Sequence, residues 1–538
     1  MTARTRTDIL LLAGFCGFLF FYGMGSFGLI GADEPRYAQV AREMLDHRDW
    51  ITPTLAGQPW LEKPPLYYWQ AMLSYSVLGV SDVAARVPSA IDAILLVIAV
   101  YLFFRRFRRG TEVDAALITA SCAGIIGYAR AASTDMPLTA TFAIGMLTWW
   151  TWRESGKKVY LALFYAFMAL GMLAKGPVAP FLAAAIIALL AAATREWRLI
   201  LKTAWLPGIA LFSVIALPWY IAVQLRNPQF FREFILEHNL ARFSSNLYHH
   251  PEPFWYYLPV ILLSLVPWTV FVVAAFARSV RVWWAERKSS STDPDFEFQF
   301  SLFTSLWLIV PVALFSISQS KLPGYILPAI PAGALLLAQY LYQHLENAEP
   351  VTKWMAVAHA LVASAPIIPA ALIAYLVMQH HLPSGRPLYF ALAVAMTLCI
   401  AVLLTLRSKM GLRMLRFVTL IPVVLAVAAV LKLGTSSIDQ TLSARPLAVE
   451  LATVETQKLP VAICGASREL EFGLAFYRNQ TIARYELGNV PTQEHLLIAA
   501  PTWKVAIADH TAGRRVLFLG HYAPQNVDYY WVAAGSVP

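Results

Sequence analysis

The sequence predicts a mainly α-helical protein that crosses a membrane many times and closes with a small α/β domain. Three observations carry that prediction. First, 58% of the 538 residues are hydrophobic and only 14% are charged, far from the composition of a soluble domain, and the mean hydropathy is +0.56. Second, the apolar residues fall in runs of about 16 to 25, the length of helical spans and too long for barrel strands. Third, from about residue 435 the pattern changes to short strand-like segments around an amphipathic stretch. The net charge of +10 does not indicate nucleic acid. Lys and Arg lie mainly in loops between the runs, where orientation bias and anionic headgroups account for them. Membrane lipids are the expected neighbours.

About thirteen spans are expected, near 9–30, 84–104, 112–129, 137–152, 159–174, 177–194, 204–223, 254–277, 299–318, 324–343, 354–378, 388–406 and 415–434. The first follows Arg4 and Arg6 but is too long for a signal peptide and lacks a small-x-small cleavage site, so it reads as a retained span. An odd number of spans with the N-terminus in the cytoplasm puts the basic loops 105–109, 157–158, 195–202, 278–288 and 407–416 inside, as the positive-inside rule asks. The unusual polar motifs then share the other, non-cytoplasmic side. The division expected is a membrane domain over 1–434, with 31–80 as a structured first loop on the non-cytoplasmic side, and an α/β domain outside the membrane over 435–538. In the latter PVAICGA and RRVLFLG read as strands and SRELEFGLAFYRN as a helix. The four cysteines, Cys16, Cys122, Cys399 and Cys464, show neither a disulfide framework nor a zinc spacing.

The stretch Gly31 to Pro65 organises the rest. Asp33, Glu34 and Arg36 come straight off the first span. Tyr37, Val40, Ala41, Met44 and Leu45 then recur at helical spacing, the pattern of an amphipathic helix on a membrane surface. Asp33 and Glu34 could merely end a helix at the interface. Arg36, Glu62 and Lys63 return to the same loop, however, and a carboxylate beside cations can act as a base or orient a nucleophile. Lys63 in EKPP reads as a snorkelling lysine or as a point charge on a phosphate, to which Arg36 could add a bidentate contact.

Asp135 in ARAASTDMP, one turn from Arg130, is a helix cap or a functional acid. Lys175 in AKGP opposes the dipole of the helix it begins, so an anionic partner explains it better. The loop 227–259 holds Glu237, His238, Asn239, Arg242, His249 and His250, and SQSKLPGYILP (318–328) puts Lys321 and Tyr325 at the outer end of another span. A metal held by the two histidines would need a third ligand, for which Glu62 is the candidate. Together these groups suit an amphiphile with an anionic head and an apolar tail, such as a polyprenyl-phosphate sugar. No Gly-rich nucleotide loop is present.

DEPRY (33–37), EKPP (62–65), STDMP (133–137), AKGP (174–177), PWY (218–220), EHN…RF…HHPEPFWYYLP and SKLPGYILP (320–328) resemble bacterial lipid-linked sugar transferases. The similarity is greatest to the aminoarabinose transferases that modify lipid A, within the protein-mannosyltransferase superfamily of GT-C fold. The resemblance implies thirteen spans, a periplasmic active site and a periplasmic C-terminal domain. It implies catalytic roles for Asp33 and Asp135, carrier-phosphate binding by Arg36 and Lys63, and a cavity lined by Glu34, Tyr37, Lys175, Arg242, Lys321 and Tyr325. It also implies a divalent metal, zinc, on Glu62 with His249 or His250. Pro35 departs from the alanine more usual in the family. The donor implied is an undecaprenyl-phosphate-linked sugar, 4-amino-4-deoxy-L-arabinose, and the acceptor a lipid A phosphate or another periplasm-facing group. The alternatives are transfer of a mannose-like sugar to protein or glycan hydroxyls, a transporter or flippase for the same carrier, and a lipid-binding scaffold without catalysis.

Overall fold

The computed structural model describes residues 3–234, 252–286, 296–346, 351–370, 386–408, 414–511 and 513–535. These form two compact units. One comprises Met1–Tyr22, Leu61–Tyr67 and Pro88–Leu433; the other comprises Gly23–Trp60, Tyr68–Val87 and Gly434–Pro538.

The first unit is helical and apolar. In chain order the helices begin with α1 (Ala3–Cys16) of this unit; α2 (Asp33–Asp46) and most of α3 (Leu66–Leu78), which follow, belong to the second unit. Then come α4 (Asp82–Phe107), α5 (Glu112–Ser121), α6 (Ala123–Ala129), α7 (Asp135–Ser155), α8 (Lys158–Lys175), α9 (Val178–Thr194), α10 (Arg198–Thr203) and α11 (Leu206–Arg226). Among the described residues six helices are long and apolar enough to cross a bilayer: α4, α8, α11, Phe296–Ile317, Pro323–Leu345 and Lys353–Ala370. The number rises to nine if each of three broken pairs, α5 with α6, Tyr257–Ser264 with Thr269–Glu286, and Val418–Lys432 with Thr435–Leu442, counts as one span. Val178–Thr194 and Ala391–Arg407 are shorter apolar helices. Among the described residues each of the thirteen apolar runs overlaps a helix or a broken pair, while positions 371–378 of the eleventh lie outside them. The shortfall against thirteen has a local cause. The first run breaks into α1 and a wide turn at Gly17–Phe21, and α7 dilutes its apolar face with threonines and tryptophans.

Several of the large buried polar side chains inside this unit are paired, as a medium without water favours, although the Trp150 indole finds no hydrogen-bond partner among the described residues. The buried indoles of Trp149, Trp268 and Trp307 donate to Thr203 Oγ1 (3.1 Å), Ser121 Oγ (2.8 Å) and Pro328 O (2.8 Å). Gly156, at φ +68°, closes α7 in the left-handed conformation and turns the chain into α8. The two helices therefore run as an antiparallel hairpin.

The second unit is built on a five-stranded mixed sheet. A small hairpin, β1 (Thr54–Leu55) and β2 (Gln58–Pro59), lies in its N-terminal part. The sheet consists of β3 (Val461–Cys464), β4 (Ala483–Arg484), β5 (His495–Ala499), β6 (Val516–Tyr522) and β7 (Val527–Val532), in the order β4-β3-β5-β7-β6. β4, β3 and β5 are parallel, while β5, β7 and β6 are antiparallel. Every residue of β3 and β5 is buried, as strands covered on both faces should be. The helix Arg468–Arg478 links β3 to β4. Ser467 caps its start by accepting from Leu470 N (3.3 Å), and Asn479 ends it at φ +46°.

α2 also belongs to this unit, and here the structure departs from expectation. Its apolar face does not lie on a membrane surface. Tyr37, Val40, Ala41 and Met44 are buried in protein: Tyr75 Oη donates to Ala38 O (3.2 Å) and Arg42 Nη1 donates to Phe476 O (3.2 Å). Sequence amphipathicity cannot tell a lipid surface from a neighbouring helix, because both bury one apolar stripe.

Candidate active site

The sequence motifs form two polar clusters, one in each unit. The cluster of the second unit stands at the start of α2. Asp33 and Glu34 occupy the first turn, where the helix dipole favours negative charge. Pro35 sits in the same turn, where no intrahelical N–H bond is lost, so the departure from alanine is structurally neutral. Asp33 keeps about half its side chain exposed and pairs with Arg36 at 2.5 Å. Arg36 is buried, its guanidinium 5.2 Å from the centroids of both Tyr37 and Trp60 and 5.7 Å from that of Phe472. Such an aromatic clamp fixes the plane of the cation. Tyr37 is itself buried, 6.3 Å from the ring of Tyr68.

Glu34 plays a different part from the cavity-lining one expected of it. Its carboxylate takes Arg86 Nε and Nη2 at 3.1 and 2.7 Å and the Ile30 amide at 2.9 Å. Arg86 donates further to Met24 O (2.8 Å), Phe27 O (2.9 Å) and Gly28 O (2.8 Å). All five of its N–H groups are thereby engaged. Glu34 and Arg86 therefore fix the chain that enters α2 and aim Asp33 outward. A second anchor joins Arg445 to Asp82 (2.8 Å) and Asp439 (2.7 Å), with Tyr477 Oη donating to Asp82 Oδ1 at 2.6 Å. Burial, then the Asp82 carboxylate, push the Tyr477 phenol well above its usual pKa and keep it a donor. Arg86 was absent from the sequence reading. The signal that could have found it is a lone arginine at the head of an apolar run, which must be paired in a membrane protein.

The cluster of the first unit joins the ends of α7 and α8. Asp135 opens α7 and binds Lys175, the last residue of α8, through Oδ1. Ser133 Oγ donates to its Oδ2 (2.9 Å) and accepts from its amide (3.0 Å). The Lys175 ammonium also lies 4.8 Å from the centroid of Tyr325. Gly324, in the turn Pro323–Ala329, makes this packing possible: a Cβ there would stand 2.7 Å from both Asp135 Cγ and Tyr128 Oη. Lys175 was expected to begin a span; it ends one, and at a helix C-terminus the dipole favours its charge.

Lys321 is buried and donates to Glu252 O (3.0 Å) and Ser318 O (2.6 Å). It therefore ties a turn and does not stand open in a cavity. Glu62 and Lys63 are half-buried, ahead of the buried Pro64 and Pro65 that lead into α3. Arg242, His249 and His250 lie outside the described residues. Among the described residues no group of three or more metal-ligating side chains occurs.

The comparisons with known proteins agree with this architecture. A family model described as dolichyl-phosphate-mannose-protein mannosyltransferase matches residues 62–221. The undecaprenyl phosphate-α-4-amino-4-deoxy-L-arabinose arabinosyl transferase of Pseudomonas aeruginosa is 31% identical over 349 residues, 64% of this chain and 61% of that protein. The enzyme of that name from Edwardsiella ictaluri is 31% identical over 317 residues, 57% of this chain and 55% of that one. The chain thus spans about three fifths of the length of the curated relatives it matches. Among solved structures, ArnT from Cupriavidus metallidurans bound to undecaprenyl phosphate superposes with a TM-score of 0.75 at 21% identity, over 97% of each chain. Its apo state gives 0.74 at 20% identity, over 99% of this chain and 100% of that one.

The fold is like that of ArnT from Cupriavidus metallidurans, a multi-pass membrane architecture with a C-terminal mixed-sheet domain. By sequence, residues 62–221 are similar to the protein-mannosyltransferase family, and about two thirds of the chain is similar to the aminoarabinose transferases.

Proposed function

We propose that the protein is an integral-membrane glycosyltransferase. It moves a sugar from an undecaprenyl-phosphate carrier to an acceptor at the periplasmic face of the inner membrane. The reading best supported for the pair is 4-amino-4-deoxy-L-arabinose as sugar and a lipid A phosphate as acceptor, following the names of the relatives. The observation that carries the proposal is Asp33. It is a carboxylate left half exposed beside a clamped, buried arginine, while its neighbour Glu34 is fully engaged in holding it there.

In the reaction the acceptor oxygen bonds to the sugar's anomeric carbon as the carbon–oxygen bond to the carrier phosphate breaks. The electron pair leaves with the phosphate. Arg36 and Lys63 are the cations assigned to that developing charge, and fixed donors stabilise such charge without reorganising. A hydroxyl acceptor would pass its proton to Asp33. A phosphate acceptor is already a nucleophile, and Asp33 would then orient it or hold the amine of the sugar. Asp135 acts as a positioning residue, holding Lys175 against Tyr325.

The test is transfer by the purified full chain, with undecaprenyl-phosphate aminoarabinose as donor and lipid A as acceptor, read by mass spectrometry. A mass gain on lipid A that Asp33→Asn lacks supports the reaction and the branch. Donor binding without a gain moves the protein to another sugar or acceptor. Passage of intact donor between leaflets would instead make it a transporter.

A further inference from the structure

The α7–α8 hairpin carries cavities at the end opposite Asp135. α7 is 21 residues long, so about 30 Å separates Asp135 from Ser155 at 1.5 Å per residue. At the Ser155 end lie two cavities on either side of α10. One, of about 550 Å³, is charged, with Arg153, Glu154, Lys158, Glu196 and Lys202 in its lining. The other, of about 340 Å³, is apolar and walled by α8, α9, α10 and α11 through Phe164, Met168, Ile187, Ile200 and Phe212. Both have the volume of ligand pockets. Leu199 and Lys202 of α10 line the charged cavity, while Ile200 and Thr203 line the apolar one.

The charges in the first cavity are not equivalent. Arg153 is closed on Glu154 (3.0 Å), on Glu196 (3.2 Å) and on Gln299. Lys158 and Lys202 have no carboxylate within ion-pair distance among the described residues. Lys158 instead stands over two indoles, 5.3 Å from the Trp205 centroid and 5.7 Å from that of Trp152. Trp197 and Leu201 beside them are exposed. Lysines among exposed tryptophans mark the headgroup level of a bilayer.

The apolar cavity offers nothing for a polar ligand. Its two hydroxyls are already engaged. Tyr165 Oη donates to Thr203 O (2.7 Å), and Thr203 Oγ1 donates to Leu199 O (2.9 Å) and accepts from the Trp149 indole (3.1 Å). An alkyl chain leaves no hydrogen bond unmade there.

The geometry points to a binding site for an anionic glycerophospholipid, its phosphate on Lys158 and Lys202 and one acyl chain in the slot between α8, α9 and α11. The site faces the leaflet that the basic loops assign to the cytoplasm. Within the first unit it lies at the opposite end of α7 from the Asp135–Lys175 pair, and it is independent of the reading proposed for transfer.

The experiment is native mass spectrometry of the purified full chain in detergent, titrated with phosphatidylglycerol, with phosphatidylcholine of the same chains, and with glycerol phosphate. The wild type should prefer phosphatidylglycerol. Each lysine near a phosphate is worth a few-fold, so Lys158→Gln with Lys202→Gln should weaken that lipid on the order of twentyfold and leave phosphatidylcholine unchanged. Ala188→Phe, which fills the slot, should weaken both lipids. Should the double variant fail to stay monodisperse, Lys158→Gln alone should still cost about fivefold. Equal binding of the two lipids by the wild type, or no loss in the lysine variants, overturns the proposal. Glycerol phosphate binding as tightly as the lipid would also overturn it, reducing the site to a bare anion site.

Discussion

Two aspartates open two helices, and their surroundings differ. Asp33 at the head of α2 keeps 53% of its side chain exposed and pairs with Arg36, whereas Asp135 at the head of α7 is 16% exposed and faces Lys175, itself 13% exposed. Ser133 holds the second oxygen of Asp135. The first carboxylate is presented; the second is enclosed. An enclosed ion pair whose members satisfy each other contributes order and geometry more than reactivity. A presented carboxylate beside a fixed cation can meet a substrate. The two residues have the same chemistry and the same position in a helix, so packing alone sets them apart.

The sharpest way to break this comparison is to neutralise each in turn. Asp33→Asn should lower transfer a thousandfold, roughly 4 kcal/mol of transition-state stabilisation, with a smaller fall in melting temperature than Asp135→Asn, because Asp33 is half exposed. Asp135→Asn should show its largest effect on stability, about 3 kcal/mol, because it leaves the Lys175 ammonium buried without its partner. Rate assays and thermal melts of both variants decide the matter. An intact rate with a lowered melting temperature for Asp33→Asn would reverse the assignment.

Glu34→Gln tests whether Asp33 depends on the residue behind it. Arg86 would lose its counter-charge in a buried site, at a cost of about 3 kcal/mol, read as a lower melting temperature. The remaining activity should return when Arg86→Met is added, since the paired neutral change removes the stranded charge. Failure of that rescue would mean that Glu34 touches the substrate after all.

The sequence revealed the helical periods, the DEPRY and STDMP acids and the strand pattern near the C-terminus, because each is carried by local spacing. It did not reveal which carboxylate is enclosed. That depends on Arg86, which lies 52 positions from Glu34, and on Lys175, which lies 40 from Asp135. Nor did it reveal that α2 buries its apolar stripe in protein. Lys321 read as a cavity cation because its carbonyl partners, unlike a carboxylate, leave no mark in the sequence.

Gly324→Ala sharpens the enclosed half. The added Cβ would meet Asp135 and Tyr128, and overpacking of this kind costs about 2 kcal/mol. The change should loosen the Asp135–Lys175 pair and leave Asp33 untouched. Melting temperature should fall while the pH dependence of any remaining transfer stays the same. A shifted pH profile would mean that Asp135 takes part in proton transfer.

The smallest effect lies in the sheet of the second unit. His495 is fully buried, its Nδ1–H donating to Gln493 O (2.8 Å) while Nε2 accepts from Tyr485 Oη (2.6 Å). Burial lowers its pKa, the Gln493 carbonyl opposes that, and the Arg514 charge adds to it. With the folded value below the unfolded one, near 6.5, the unfolded chain takes up the proton first. The stabilisation is therefore complete above about pH 6.5 and is lost as the pH falls towards the folded pKa. Amide exchange along β5 should quicken between pH 7.5 and 5.5, after correction for intrinsic rates, and His495→Gln should remove that dependence. A wild-type sheet equally protected at both values would show that the ring is already charged inside the fold.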